Sequence, residues 1–260
     1  MDAHHSKIDW AASTARDLSP KLREGLADLW RRRMVSEHRS IGIFNLYTLD
    51  LLGAGAPAEV LSLACRAALD EVRHTELFAR LTEIYSGKKE SPPPGIPALP
   101  DEPDVPIRKQ VAREALHLCV CSESYSAASL GELYARAQDP TVRAVLGVVL
   151  SDEIYHARMG WAVLASMYRE PDGEELRAHA QSEIPATFDN LARELFGDLS
   201  ALAEPSLAGD ERRQAEAHGY LSLRDDYVVF QSLIEAVWIP GLLGLGLDPS
   251  SLRGRFPILA

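Results

Sequence analysis

The chain has 260 residues, 46% of them hydrophobic and 25% charged, enough apolar material to bury a sizeable core in one domain. A formal net charge of -11 argues against nucleic acid or an anionic membrane surface as partner, and the short run at 31–33 (RRR) reads as a solvated helix face. The three cysteines, Cys65, Cys119 and Cys121, are too few for a disulfide framework and lack paired zinc spacing. With no basic segment and apolar core at the start (MDAHHSKIDW), no signal peptide is expected and the expected setting is cytoplasmic.

The elements are expected to be helical throughout. Ser19 as cap and Pro20 in the first turn open a helix that runs to the GAGAP break at 53–57. A second helix spans about Ala58 to Ser86. The proline-dense segment 86–106 forbids helix and is long enough to cross from one end of a bundle to the other. A third helix follows over about 107–138, and Asp139-Pro140 starts a fourth that reaches about Arg169. Short turn, long crossover, short turn is the connectivity of a four-helix bundle of the ferritin-like kind. Two further helical stretches are expected, Glu174 to Phe196, kinked or split at Pro185, and Asp210 to Trp238. All of 1–260 is read as one domain, with a core bundle over about 19–169 and a helical extension over about 174–260.

The stretch Val228 to Leu247 is strongly apolar, but Gln231, Glu235 and Pro240 interrupt it. It reads as a buried helix and loop, not a membrane span, that roofs the bundle or forms a homodimer interface.

The chemistry lies in a phrase written twice, DEVRH at 70–74 and DEIYH at 152–156. Residues three apart share a helix face, so Glu71 with His74 and Glu153 with His156 each present a carboxylate and an imidazole to one point. Both glutamates interrupt apolar stripes: Ala64, Ala67, Phe78 and Leu81 around Glu71, and Val142, Leu146, Val149 and Val163 around Glu153. A buried carboxylate is costly unless it ligates a cation. The other two helices offer Glu37, on the face of Trp30, Met34, Ile41 and Phe44, and Glu123, on the face of Leu116, Cys119, Val120 and Leu130. One glutamate from each of two helices and one Glu-x-x-His from each of the others is the ligand set of a carboxylate-bridged di-iron or di-manganese site.

Glu37, DEVRH, Glu123 and DEIYH in this helical order resemble the ferritin-like di-iron carboxylate superfamily, over roughly three-fifths of the chain. An aspartate directly before the ligating glutamate resembles the methane monooxygenase hydroxylase and the ribonucleotide reductase small subunit. The chain's size looks more like the aldehyde-deformylating oxygenases. Val149 stands where the arylamine N-oxygenases have an extra histidine ligand. The resemblance implies Asp70 and Asp152 holding the site's histidines, and Arg73 pairing with such an aspartate. It implies two iron ions, or a manganese and an iron, with O2 as co-substrate.

The activity expected is that of a di-iron oxidoreductase acting on a small, largely apolar organic molecule. No dinucleotide fingerprint or iron–sulfur cysteine set is present, so electrons would come from a separate reductase or ferredoxin. Iron handling or peroxide scavenging and a non-catalytic metal-stabilised module are the alternatives. Tyr125, Tyr155 and Cys119 are candidates to line the pocket or take part in redox chemistry. His38 and His117 fall off the ligand faces, and His4, His5, His179 and His218 are expected at the surface.

Overall fold

The computed structural model describes residues 8–95, 104–197 and 207–257, which are all-helical apart from turns and loops. Segments 1–7, with His4 and His5, and 96–103, the middle of the expected crossover, lie outside the described residues.

Helix α1 (Pro20–Gly53) starts where Ser19 Oγ accepts the Leu22 amide at 3.2 Å, with Pro20 at the first position. It turns at 54–57, where Gly55 at φ 76° supplies the left-handed conformation, into α2 (Ala58–Ser86). The two helices pack along each other's length.

The third expected helix is not a uniform α-helix. It comprises α3 (Ile107–Glu114), a π-helical segment (Ala115–Glu123) and α4 (Ser124–Arg136). The widened turn is visible in Ser122 Oγ, which donates to the carbonyl of His117 five residues back, at 3.0 Å. Nearly every side chain of this segment is buried, because α5 (Pro140–Met167) covers one side and α6 (Gly173–Phe196) the other. Trp238 Nε1 donates to Val120 O at 2.9 Å, satisfying a carbonyl within the widened turns.

Gly160 of α5 makes this approach possible. A Cβ there would overlap the Cβ of Cys119 and stand 3.0 Å from Val120 N and 3.1 Å from Ala115 O. Gly160→Ala is therefore expected to cost about 3 kcal/mol in denaturant unfolding, since backbone cannot yield as a side chain can. Exposed Gly25 in α1 has nothing within 4 Å, so Gly25→Ala should stabilise by about 0.5–1 kcal/mol. Equal effects at the two sites would refute the packing argument.

Asp139 joins α4 to α5. Its Oδ1 accepts the Val142 amide at 2.9 Å, capping α5, and its Oδ2 accepts Thr14 N at 2.7 Å and Thr14 Oγ1 at 3.0 Å.

The C-terminal region differs from expectation in two places. Helix α6 is not split at Pro185 but continues through it. The stretch read as one helix from Asp210 to Trp238 divides into α7 (Gly209–Ala217) and α8 (Leu223–Leu233). Gly219, at φ 86°, breaks it, and a Cβ there would stand 2.5 Å from Trp30 Cζ2. Ser222 then caps α8 by accepting the Asp225 amide at 3.1 Å. Beyond α8 a second π segment (Ile234–Trp238) leads into α9 (Ile239–Gly244), so the chain stays helical past Pro240.

By length and composition alone, Leu223–Gly244 is apolar enough to cross a bilayer. Tyr227, Phe230, Trp238 and Leu242 of this stretch are buried in the core shared with the first π segment and α6.

Candidate metal centre

Glu37, Glu71, His74, Glu153 and His156, midway along α1, α2 and α5, come together with Glu123 at the end of the first π segment. Glu71, His74, Glu123, Glu153 and His156 are each at most 5% exposed. Their donor atoms form two groups, Glu37-Glu71-His74-Glu153 and Glu71-Glu123-Glu153-His156, each with all donors within 4.8 Å of one another. That is close to the spacing imposed by a cation about 2.1 Å from every donor. Glu71 and Glu153 belong to both groups, so one carboxylate from each Asp-Glu-x-x-His helix faces two positions at once.

Both imidazoles turn Nδ1 inward. His74 Nδ1 lies 3.2 Å from Glu153 Oε1, 3.5 Å from Glu37 Oε2 and 3.6 Å from Glu71 Oε2. His156 Nδ1 lies 3.2 Å from Glu71 Oε1 and 3.6 Å from Glu123 Oε2. Both Nδ1 atoms, with Glu71 Oε2, Glu123 Oε2 and Glu153 Oε1, are buried without a hydrogen bond of good geometry. Five orphaned donor atoms converging in an apolar core are what a cation would satisfy, so the residues present fit a bound metal.

The outward Nε2 atoms are held crosswise. Asp152 Oδ2 is 3.1 Å from His74 Nε2, and Asp70 Oδ2 is 3.5 Å from His156 Nε2, so each motif's aspartate steadies the other motif's histidine. Arg73 joins the two aspartates, donating from Nη2 to Asp70 Oδ1 at 3.0 Å and also to Asp152 Oδ2.

The electrostatics follow from crowding carboxylates and imidazoles in an apolar core. Burial, reinforced by the charge of Glu71, pushes Glu37 up to about 8. Burial and the neighbouring Glu123 carboxylate push Glu153 well above the usual range. Burial opposes ionisation of Glu71 too, but the two imidazoles facing it bring it down to about 2. Burial would also lower the histidines. Asp152, Glu153 and Glu37 override it at His74, which is raised, and Asp70, Glu123 and Glu71 raise His156 to about 12.

The other candidates have three different surroundings. Tyr155, a candidate pocket or redox residue, is 56% exposed beneath the guanidinium of Arg66. Two positions after Glu153, it is turned about 200° round the helix. Tyr125 packs edge-on against Phe196 and Phe230, toward the C-terminal layer. Cys119 is fully buried where Gly160 closes on the π segment, and burial raises its thiol.

Several functional-looking groups carry no short motif. His218, expected at the surface, is 5% exposed and bonded to Tyr85. Glu114, whose carboxyl burial raises to about 7, meets Gln110 at 3.2 Å, and the nearby Tyr47 hydroxyl is buried. A raised carboxyl four residues from an amide donor leaves no trace in composition or spacing.

No protein-family model, curated protein or solved structure matches this chain.

Proposed function

We propose that this chain is a ferritin-like di-iron oxidoreductase that uses O2 to oxidise a small, largely apolar organic molecule. The observation that carries the reading is the sharing of Glu71 and Glu153 between two buried donor groups, each completed by one histidine and one further glutamate. A lone structural ion needs one such group. A donor set of carboxylates and imidazoles suits iron or manganese better than calcium, which takes oxygen ligands alone.

Glu37, Glu71, His74 and Glu153 would hold one ion, and Glu71, Glu123, Glu153 and His156 the other. Two iron ions so held would supply the electrons and open coordination positions with which O2 is bound and reduced. The chain's own part is to fix and insulate them. Asp152 and Asp70 accept from the outward Nε2 atoms, which leaves each Nδ1 lone pair free for metal, and Arg73 donates to both aspartates. For Asp152, burial works against ionisation, and the contacts with His74 and Arg73 hold its carboxyl below the usual range. Phe44, whose ring centroid is 5.2 Å from that of His156, and the apolar stripes of all four helices keep water away.

An apolar substrate would enter from one end of the helices. A cavity of about 320 Å³ lies beside the α1–α2 turn, lined by Leu51, Val60, Val111, Val163 and Met167, with Arg108 and Glu170 among its polar members. The positions between it and the donors include Ala64 and Ala67 on α2 and Cys119 on the π segment. Electrons would come from a separate reductase or ferredoxin, since the described cysteines are single and free.

The test is metal analysis of the purified protein, then anaerobic reduction and rapid mixing with O2 under optical observation. About two irons per chain and a transient visible band are expected. A protein that binds no transition metal, or whose reduced iron form is inert to O2, would refute the reading.

A further inference from the structure

Tyr85 sits near the end of α2, 2% exposed, with its hydroxyl 2.6 Å from His218 Nδ1 and the two rings edge to face at 5.8 Å. His218 is on the α7–α8 connection, and the backbone around it is pinned: Gln138 N and Asp139 N both donate to Ala217 O at 2.9 Å. Its Nε2 lies 3.4 Å from Thr14 Oγ1, which donates to Asp139 Oδ2, and that same carboxylate oxygen is 3.7 Å from His218 Nδ1. The phenol thus has one short hydrogen bond to an imidazole backed by an ionisable carboxyl. Burial keeps that imidazole below its ordinary pKa and the phenol above its own, so the proton rests on Tyr85 and the Nδ1 lone pair receives it.

The pair also has an aromatic approach from the metal centre. Phe78, one turn beyond His74, stacks on Trp30 at 5.6 Å, and Trp30 lies 6.5 Å from Tyr85. Along α2, Tyr85 is about 16 Å from His74, an eleven-residue rise. Gly219 lets the α7–α8 connection close over the Trp30 ring.

We propose that Tyr85 and His218 form a proton-coupled one-electron redox site at this end of the helices. In the step, Tyr85 loses one electron to the oxidant, its O–H bond breaks and an N–H bond forms on His218 Nδ1. A neutral phenoxyl radical remains beside an imidazolium that Asp139 stabilises. The oxidant would be the metal centre after its reaction with O2, taking the electron from Tyr85 by way of Trp30, so that part rests on the function proposed above. Return of one electron to the phenoxyl, with the proton moving back from His218 Nδ1, restores the O–H bond.

Two arms separate this site from the metal reading. In the first, metal-free protein labelled with 15N-histidine is oxidised by photogenerated ruthenium(III) tris-bipyridine and frozen for electron paramagnetic and nuclear double resonance. A phenoxyl signal coupled to a histidine nitrogen through an exchangeable proton is expected, and its absence from the parent protein overturns the proposal whatever the metal content. Tyr85→Phe should lower that signal at least tenfold, and His218→Gln should remove the nitrogen coupling; a signal unchanged in both also overturns it. In the second arm, reduced iron-loaded protein is mixed with O2. The same signal supports electron transfer from Tyr85 to the centre, and its absence from a sample shown to hold two irons overturns that transfer.

Discussion

Glu153→Gln is expected to abolish binding of both metal ions, whereas Glu37→Gln should abolish only one. Glu153 belongs to both donor groups, as does Glu71, while Glu37 and Glu123 belong to one each. Removing a charge from a shared carboxylate takes a ligand from both positions and leaves two divalent cations facing each other with less negative charge between them, in a core where repulsion is poorly screened. Iron content should fall from about two per chain to below about 0.3 for Glu153→Gln and Glu71→Gln, and to about one for Glu37→Gln and Glu123→Gln. The amide keeps the shape and one acceptor oxygen, so the folded state should survive, and circular dichroism of the metal-free variants checks it. Identical iron contents in all four variants would sink the shared-carboxylate geometry.

The donors themselves were the legible part of the sequence. Glu-x-x-His places two ligands on one helix face by geometry alone, and apolar stripes around Glu37 and Glu123 point inward wherever the helix is packed. The crosswise bracing was not legible, because Asp70 reaching His156 and Asp152 reaching His74 depends on how α2 and α5 lie against each other. The same limit separates Arg73 from Tyr155, which occupy matching places in the two phrases. A long guanidinium side chain folds back between helices to the aspartates, while a rigid phenol at that rotation ends in solvent.

The π segment over Ala115–Glu123 was also hidden, since a widened turn has no residue signature. Its traces are an all-round apolar run, ALHLCVC, and the glycine it needs opposite, Gly160. It matters to the site because Glu123 is its last residue, so the register of the fourth carboxylate is set through these wider turns. The break at Gly219 had a signal in the glycine itself, but the burial of His218 follows only from the chain closing over Trp30 and Tyr85.

Loading the metal-free protein with two divalent cations at pH 7 should release about four protons, one each from Glu37, Glu153, His74 and His156. All four are held above their ordinary pKa in the folded chain, Glu37 at about 8 and His156 at about 12. Four protons carry the charge of two divalent cations, so the exchange leaves the buried charge unchanged. The sign for stability follows from linkage. Glu37 has an ordinary value of 4.5, so its contribution is present below 4.5 and lost as pH rises through about 8. The histidines act in the same direction: their contribution is complete below 6.5 and, for His156, lost as pH rises through about 12. Glu71, lowered to about 2, works the other way, but its loss comes only as pH falls from 4.5 through 2. Between pH 5 and 8 these four groups thus bind more protons in the folded metal-free chain than in the unfolded one, with His117 and His218, both lowered by burial, acting against them below 6.5. Each excess proton lowers stability by about 1.4 kcal/mol per pH unit. The melting temperature of metal-free protein should therefore fall steadily over that range. Saturating Fe(II) under anaerobic conditions should remove or reverse the trend, because cations bind the deprotonated ligands. Proton release is read with a pH indicator in weak buffer and stability by calorimetry. Metal binding without proton release, or metal-free protein that gains stability as pH rises from 5 to 8, would show that the cluster is not held by protons.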